Sequence, residues 1–271
     1  MKIINKINKF IGFITIVSLI KLLLDKLGLI KNQYKISLNN KLKIWVRPTK
    51  ELSVSDIEIF KEIYIEDVYG VCKFKSKDIF IIDIGAHVGI FSLLIAKNSG
   101  AIVLAYEPDI ENFKILEKNI NENKKFVDVR PFNLSISNRK GNVKVFKSSN
   151  NTGGHSIYQT YVDQKYFVSK SITLNQIIKE NKIESIDLLK IDCEGAEYEI
   201  LTKTSKTTLK KIKKIILETH EFIENRKNFY NYKNIITSLE EAGFKIKIKR
   251  EIFYSDEGLF KIIIAENENR N

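Results

Sequence analysis

Cysteine is scarce: Cys72 and Cys193 are the two in 271 residues. That excludes a disulfide framework and a thiolate metal site, and it fits a reducing compartment. Cys193 lies in a strand-like run and is expected to be a small core residue. Histidine is rarer than in most chains of this length, with three copies, His87, His155 and His220. Long apolar runs are missing too. The longest near the N-terminus, Phe10 to Ile20, is broken by Lys21 and Asp25, and it is shorter than the roughly 20 residues that span a bilayer. There is no internal repeat and no long linker. Acidic residues are outnumbered, 33 against 45 Lys and Arg, for a net charge of +12. The lysines are scattered, as an AT-rich genome would produce. Only Lys210, Lys211, Lys213 and Lys214 cluster, so nucleic acid is not the expected partner.

What is present is a globular chain, 44% hydrophobic, long enough for one α/β domain and an N-terminal addition. Residues 1–75 read as a prelude: a helix near 10–27, a strand pair at Lys35–Ile36 and Lys43–Val46, and a helix from Ser55 to Tyr64 capped by Ser55 or Asp56. The first 30 residues place lysines before apolar residues, as a signal peptide does, but no small-residue cleavage site follows. An amphipathic helix packed on the domain is expected. A peripheral membrane contact through residues 1–30 is the second reading.

From residue 76 the pattern becomes alternating strands and helices. Ile79–Ile84 is an apolar run suited to a parallel strand buried on both faces; Ala101–Tyr106 and Ile186–Ile191 read as further buried strands, and Phe126–Phe132 and Lys214–Leu217 as strands. Helices are expected at Ile90–Lys97, Asp109–Ile120, Asn175–Glu180, from Gly195, and at Tyr230–Ala242. Shorter strands at Val143–Phe146 and Ser171–Leu174 flank a loop. Phe244–Lys249 and Leu259–Ala265 close as a hairpin with one antiparallel strand. The expectation is a doubly wound sheet with helices on both faces.

Two motifs carry chemistry. Asp83-Ile84-Gly85-Ala86-His87-Val88-Gly89 follows a buried strand and opens a helix. Gly85 allows a sharp turn and close approach of a ligand, Gly89 close packing, and Asp83 can accept from an ammonium group. Glu107 ends the next strand, where a carboxylate can accept the ribose hydroxyls of an adenosine. His87 stands where a dinucleotide fold has its middle glycine. The loop therefore suits a ligand without a pyrophosphate and disfavours an NAD-dependent oxidoreductase. The second motif runs from Asp187 to Glu197. Lys190, Asp192 and Glu194 alternate at the end of a strand and would share one face if the strand persists. Ligands of open α/β sheets bind outside such strand ends.

With these motifs the chain resembles the FkbM-family methyltransferases. The resemblance rests on DIGAHVGIFS (83–92), EPDIENFKILEKN (107–119), LLKIDCEGAEYEIL (188–201) and ILETH (216–220), and extends to SDIEIF (55–60). It implies a class I, Rossmann-like methyltransferase fold over 76–271. It implies S-adenosylmethionine as donor and O-methylation of a sugar, glycan or related small molecule. By position it implies cofactor contacts from Asp83, Gly85, His87, Gly89 and Glu107, with Asn133 and Ser135 near the adenine, and Asp192 near the acceptor. His87 replaces the family's usual Asn, which could make the loop pH-sensitive. Asn175 replaces its usual Asp, which would remove a negative charge near the site.

A sugar hydroxyl needs a base as it attacks. Asp192, His155 and His220 are the candidates, His155 from a Gly-rich loop and His220 paired with Glu194 or Glu218. Lys190, Glu194 and Glu218 are expected around the acceptor. Asp192, Glu194, Glu218 and His220 could hold a divalent metal, but neutralisation of the acids by Lys190 is preferred. A nucleic-acid methyltransferase is the main alternative. It is disfavoured because neither an Asn/Asp-Pro-Pro-aromatic string nor a Pro-Cys pair is present. A binding module that kept the fold is a further alternative. Because the implied donor is made in the cytosol, a cytoplasmic location is expected, with the cytosolic face of a membrane as the refinement.

Overall fold

A computed structural model describes residues 9–49, 54–74, 79–149, 151–159, 162–221, 231–254 and 258–268. The N-terminal region holds helix α1 (Ile16–Lys26), a hairpin of β1 (Tyr34–Ser37) and β2 (Lys43–Val46), and helix α2 (Asp56–Phe60). Ser55 caps α2 by accepting from the Glu58 N–H at 3.4 Å. Helix α2 runs on into a π-helical turn, Lys61–Ile65, a local widening that often marks functional positions. The N-terminal helix is shorter than expected, because the chain turns at Gly12, φ +89°, before Thr15 caps α1.

The main sheet contains β3 (Phe80–Ile84), β4 (Ile102–Tyr106), β5 (Asp128–Phe132), β9 (Leu188–Ile191), β10 (Lys214–Glu221), β11 (Phe244–Tyr254) and β12 (Gly258–Asn267). Its order is β11-β12-β10-β9-β3-β4-β5. The strands from β10 to β5 are mutually parallel, and β12 alone runs antiparallel to its neighbours. This is the expected doubly wound sheet with its closing hairpin. Helices α3 (Ile90–Ser99), α4 (Ile110–Asn123), α5 (Leu174–Glu180), α6 (Ala196–Lys203), α7 (Lys206–Leu209) and α8 (Tyr232–Glu240) connect it. The first residues expected in α8 lie outside the described residues. Strand β10 continues four residues past Leu217, which brings Glu218 and His220 into the sheet.

The two expected strands around the loop form a separate sheet of β6 (Ser135–Ile136), β7 (Gly141–Phe146) and β8 (Tyr166–Ile172). Ser171–Leu174 is not one strand. Thr173 forms a capping box with Gln176 and starts α5 at Leu174.

Alternation along the strands divides the interior in two. Ile82, Ile84, Leu104 and Leu189 pack with α5, α6 and α8. Ile81, Val103, Leu188 and Ile216 pack with α3, α4 and the N-terminal region. Asp83, Lys190 and Glu218 share the parity of the second set. The sheet face that carries these charges is therefore the one covered by Phe60, Ile63, Tyr69 and Phe91.

Candidate active site

The strand ends of β3, β4, β9 and β10 open into a solvent-continuous cleft, lined by residues of both the glycine turn and the end of β9. The N-terminal region walls it with Ile59, Glu62, Ile63 and Tyr69, and the 151–157 loop closes it with Gly153 and His155.

The β3–α3 turn is built around glycine. Gly85 has φ +79°, and a Cβ there would overlap the Asp192 carbonyl, so the turn passes flush against the end of β9. A Cβ on Gly89 would come within 2.5 Å of Leu116. His87 between them also has positive φ, +52°. Its N–H donates to Glu107 Oε2 at 2.8 Å. Its Nε2 lies 2.9 Å from the Arg47 guanidinium and 3.1 Å from Thr152 Oγ1. Burial pushes the ring down to about 4, so it is neutral. Arg47 in turn pairs with fully buried Asp56 at 2.7 Å, and Thr152 donates to Asp56 at 3.3 Å. The segment before the sheet and the loop over the cleft thus meet at the glycine turn.

Glu107 is buried, accepting from His87 N–H and, at 3.0 Å, from Asp109 N–H. Asn112 adds a long bond of 3.4 Å. Burial pushes the carboxyl up to about 7 despite these donors. Ser135 Oγ, Asn112 Oδ1 and His87 Nδ1 are buried without a protein partner, and all three residues line the cleft.

Across β3 from Glu107 lies a charged cluster. The Lys190 ammonium donates to the Gly85 carbonyl at 2.8 Å and lies 3.2 Å from Asp83 and 3.4 Å from Asp192. Burial pulls against its charge, but the two carboxylates outweigh burial and hold it protonated. Burial likewise opposes ionisation of Asp192, and Lys190 overcomes it, so Asp192 stays below the usual carboxylate range. The Tyr69 hydroxyl is 3.0 Å from both Asp192 Oδ2 and Glu218 Oε2. Burial and the Asp192 charge push Glu218 up to about 8. Near pH 7 one carboxyl of this pair is ionised and the other neutral.

His220 sits behind Glu218. Its N–H and Nδ1 both reach Glu197 Oε1, at 2.8 and 3.1 Å, and its Nε2 faces Glu194 at 3.5 Å and Glu218 at 3.7 Å. Burial disfavours the cation, yet Glu194 and Glu197 raise the ring well above its ordinary range.

A family model for the methyltransferase FkbM domain matches residues 83–246. The chain belongs to this family. It is 26% identical over 250 residues to methyltransferase sdnD of Sordaria araneosa, covering 80% of this chain and 93% of that protein. It is 24% identical over 236 residues to methyltransferase 1 of Beauveria bassiana, covering 80% and 91%. The fold is shared with a SAM-dependent methyltransferase from Agrobacterium tumefaciens at TM-score 0.51 and 10% identity, covering 88% of this chain and 72% of that one.

Several residues of this FkbM methyltransferase stand elsewhere than the sequence suggested. Strand β9 ends at Ile191 and Glu194 has φ +52°, so a turn, not strand alternation, places Glu194. Lys190 donates to the Gly85 carbonyl and pairs with Asp83 and Asp192, so it braces β3 against β9 at the cleft wall. Asn133 donates to the Glu107 and Pro108 carbonyls at 2.9 and 3.1 Å, bracing the chain behind the cleft. His155 accepts from Ser148 N–H through Nδ1 and faces Asp109 at 3.8 Å, two residues on from Glu107. Cys193 is half-buried, packed against the edge of the core where it meets the cleft wall. Asn175 ties down the 203–205 turn through Lys203 and Ser205 and does not border the cleft. The clustered lysines are shared among acids, Lys211 with Glu184, Lys213 with Asp187 and Lys214 with Glu266.

Tyr69, Glu62, Glu197 and the Arg47–Asp56 pair join the site without a motif of their own, Asp56 pairing with Arg47 while Ser55 caps the helix. Only Glu197 had a signal, an acid two residues after the glycine that opens α6. Asp192, Glu218 and His220 offer ligand atoms within 4.8 Å of one another, but Lys190 and the charged His220 ring already supply cations there.

Proposed function

We propose that this enzyme transfers a methyl group from S-adenosylmethionine to a hydroxyl of a sugar, glycan or related small molecule in the cytosol. The observation that carries the reading is the Tyr69 hydroxyl between Asp192 and Glu218, at the strand ends next to the glycine turn. Residues 1–75 are read as a prelude that walls the acceptor side, and 76–271 as the catalytic domain.

The donor side fits an adenosine. The His87 N–H occupies one lone pair of Glu107 Oε2 and leaves the other for a ribose hydroxyl, while on Oε1 a second hydroxyl would displace the long 3.4 Å bond from Asn112. Ser135 Oγ, Asn112 Oδ1 and His87 Nδ1 are buried atoms that need partners, and a purine edge and ribose supply them. Gly85 leaves space that a Cβ would fill. Bound there, the donor supplies a methyl group on positively charged sulfur, open to in-line displacement.

The protein's own part is orientation and removal of one proton. As the acceptor oxygen bonds to the methyl carbon and the carbon–sulfur bond breaks, the hydroxyl proton becomes strongly acidic. An ionised carboxylate is then base enough, and Asp192 is held ionised by Lys190. Tyr69 stays neutral and orients Asp192, while neutral Glu218 can donate to the Tyr69 oxygen. His220, being cationic, holds Glu194, Glu197 and Glu218 in place and is not the base. His155 serves the loop over the donor.

The test is a panel of sugars, glycans, RNA and DNA incubated with methyl-labelled donor, with and without a chelator. Label should enter sugar hydroxyls as alkali-stable ether, equally in both conditions. Label in nucleic acid alone would overturn the reading.

A further inference from the structure

Helix α1 is inside out. Its buried residues are Ser18, Leu22 and Asp25. Ser18 Oγ accepts from Ser37 N–H at 2.7 Å, and Asp25 accepts from the Tyr34 hydroxyl at 2.9 Å and Thr49 N–H at 3.0 Å. The exposed residues of the helix are Ile16, Val17, Ile20, Leu23 and Leu24, every one aliphatic. Leu27 and Leu29 extend the same character past its end. A helix facing water carries the opposite arrangement, with its apolar stripe inward. Here the polar groups are committed to hydrogen bonds with the protein, and up to 76% of an isoleucine, Ile16, is left outside. Scattered exposed aliphatics are ordinary, but a contiguous stripe of them marks a contact surface.

The surroundings choose the occupant. Asp25 is the single acid between Lys9 and Gln33, and it is buried. Lys9 and Lys31 are exposed at the two ends of the stripe, whereas Lys21 and Lys26 turn to the protein, Lys21 to the Lys35 carbonyl at 3.1 Å and Lys26 to Glu58 at 3.5 Å. Aliphatic centre and cationic rim are complementary to an anionic phospholipid surface. Eleven residues are too few to cross a bilayer, which needs about 20, so the helix would lie in the surface plane. No helix among the described residues is long and apolar enough to cross a membrane.

We infer that α1 docks this enzyme on an anionic bilayer, with Ile16, Val17, Ile20, Leu23 and Leu24 entering the acyl boundary and Lys9 and Lys31 contacting headgroups. The docking face is close to the cleft. Phe10 stacks on Phe60 at 6.2 Å and Phe13 meets Tyr64 edge-on at 5.4 Å. The same α2 and π-helical segment lends Ile59, Glu62 and Ile63 to the cleft wall. Docking would therefore set the acceptor side one helix away from the membrane.

The experiment is flotation of the full chain with phosphatidylcholine vesicles, with and without phosphatidylserine. The variants are Ile20→Glu/Leu24→Glu and Lys9→Glu/Lys31→Glu. These positions are exposed, so circular dichroism and melting should match wild type. Wild type should float with the phosphatidylserine vesicles, less in high salt. Each double variant should partition about tenfold less, the first through lost apolar insertion and the second through lost headgroup attraction. Absence of wild-type flotation, or equal flotation of a folded variant, would overturn the inference. So would a wild-type dimer that does not float and that Ile20→Glu/Leu24→Glu dissociates. These readouts use no acceptor, so their failure is separate from failure of the proposed reaction.

Discussion

The Tyr69 hydroxyl stands 3.0 Å from Asp192 Oδ2, joining residues 123 positions apart. One belongs to the segment before the sheet and the other to the end of β9, so the reacting corner is assembled from both. Tyr69→Phe keeps the ring that packs edge-on to Phe91 and removes the hydroxyl's contacts with Asp192 and Glu218. Turnover should fall about a hundredfold, within the usual range for a proton-transfer partner. Asp192→Asn should nearly abolish it. Calorimetry should show S-adenosylmethionine bound by both variants as by wild type. Parallel loss of binding and turnover would place Asp192 on the donor instead.

Glu107 predicts a pH dependence of donor binding. Its carboxyl is pushed up to about 7 by burial, and the ionised form is the better acceptor for ribose hydroxyls. Affinity for S-adenosylhomocysteine should strengthen as pH rises through about 7 and then level off. Glu107→Gln should bind more weakly above that pH and lose the dependence. Titration calorimetry on both proteins checks this.

Gly85 cannot carry a side chain. Gly85→Ala meets both a positive φ and the Asp192 carbonyl, and the backbone penalty alone is about 1 kcal/mol. The variant should melt several degrees lower and lose donor-induced stabilisation. Unchanged melting with full binding would show that the turn relaxes away from β9.

The legibility of the site from sequence follows from the range of the contacts involved. Ile81–Ile84 and Val103–Tyr106 read as buried strands because burial on both faces demands apolar residues, with Asp83 the one polar exception, and the glycine turn follows from a backbone constraint local to five residues. The short sheet was blurred because Tyr166–Ile172 alternates weakly. Tyr69 had no local signature: a tyrosine in a turn gains its role from two carboxylates over a hundred positions away. The same holds for Arg47, Asp56 and Thr152, which converge on His87 through tertiary packing. The alternation of Lys190, Asp192 and Glu194 depends on the strand persisting, and it lapses because β9 stops at Ile191 and Glu194 turns into left-handed backbone.

Glu218 links site and stability. Its carboxyl rises from 4.5 to about 8 on folding, so the folded state binds the extra proton across that interval. The associated stability is present in acid and is lost as pH rises through about 8. Glu218→Gln removes the titration. Relative to wild type, its melting temperature should rise progressively between pH 4.5 and about 8, and a constant offset would contradict the assignment.

A crystal structure with S-adenosylhomocysteine bound tests the central claim most directly. The account predicts the ribose diol on the Glu107 carboxylate, the adenine near Ser135 and Asn112, and the sulfur directed toward Asp192 and Tyr69. A nucleoside bound elsewhere, with Glu107 still engaged by His87 and Asp109 alone, would contradict it.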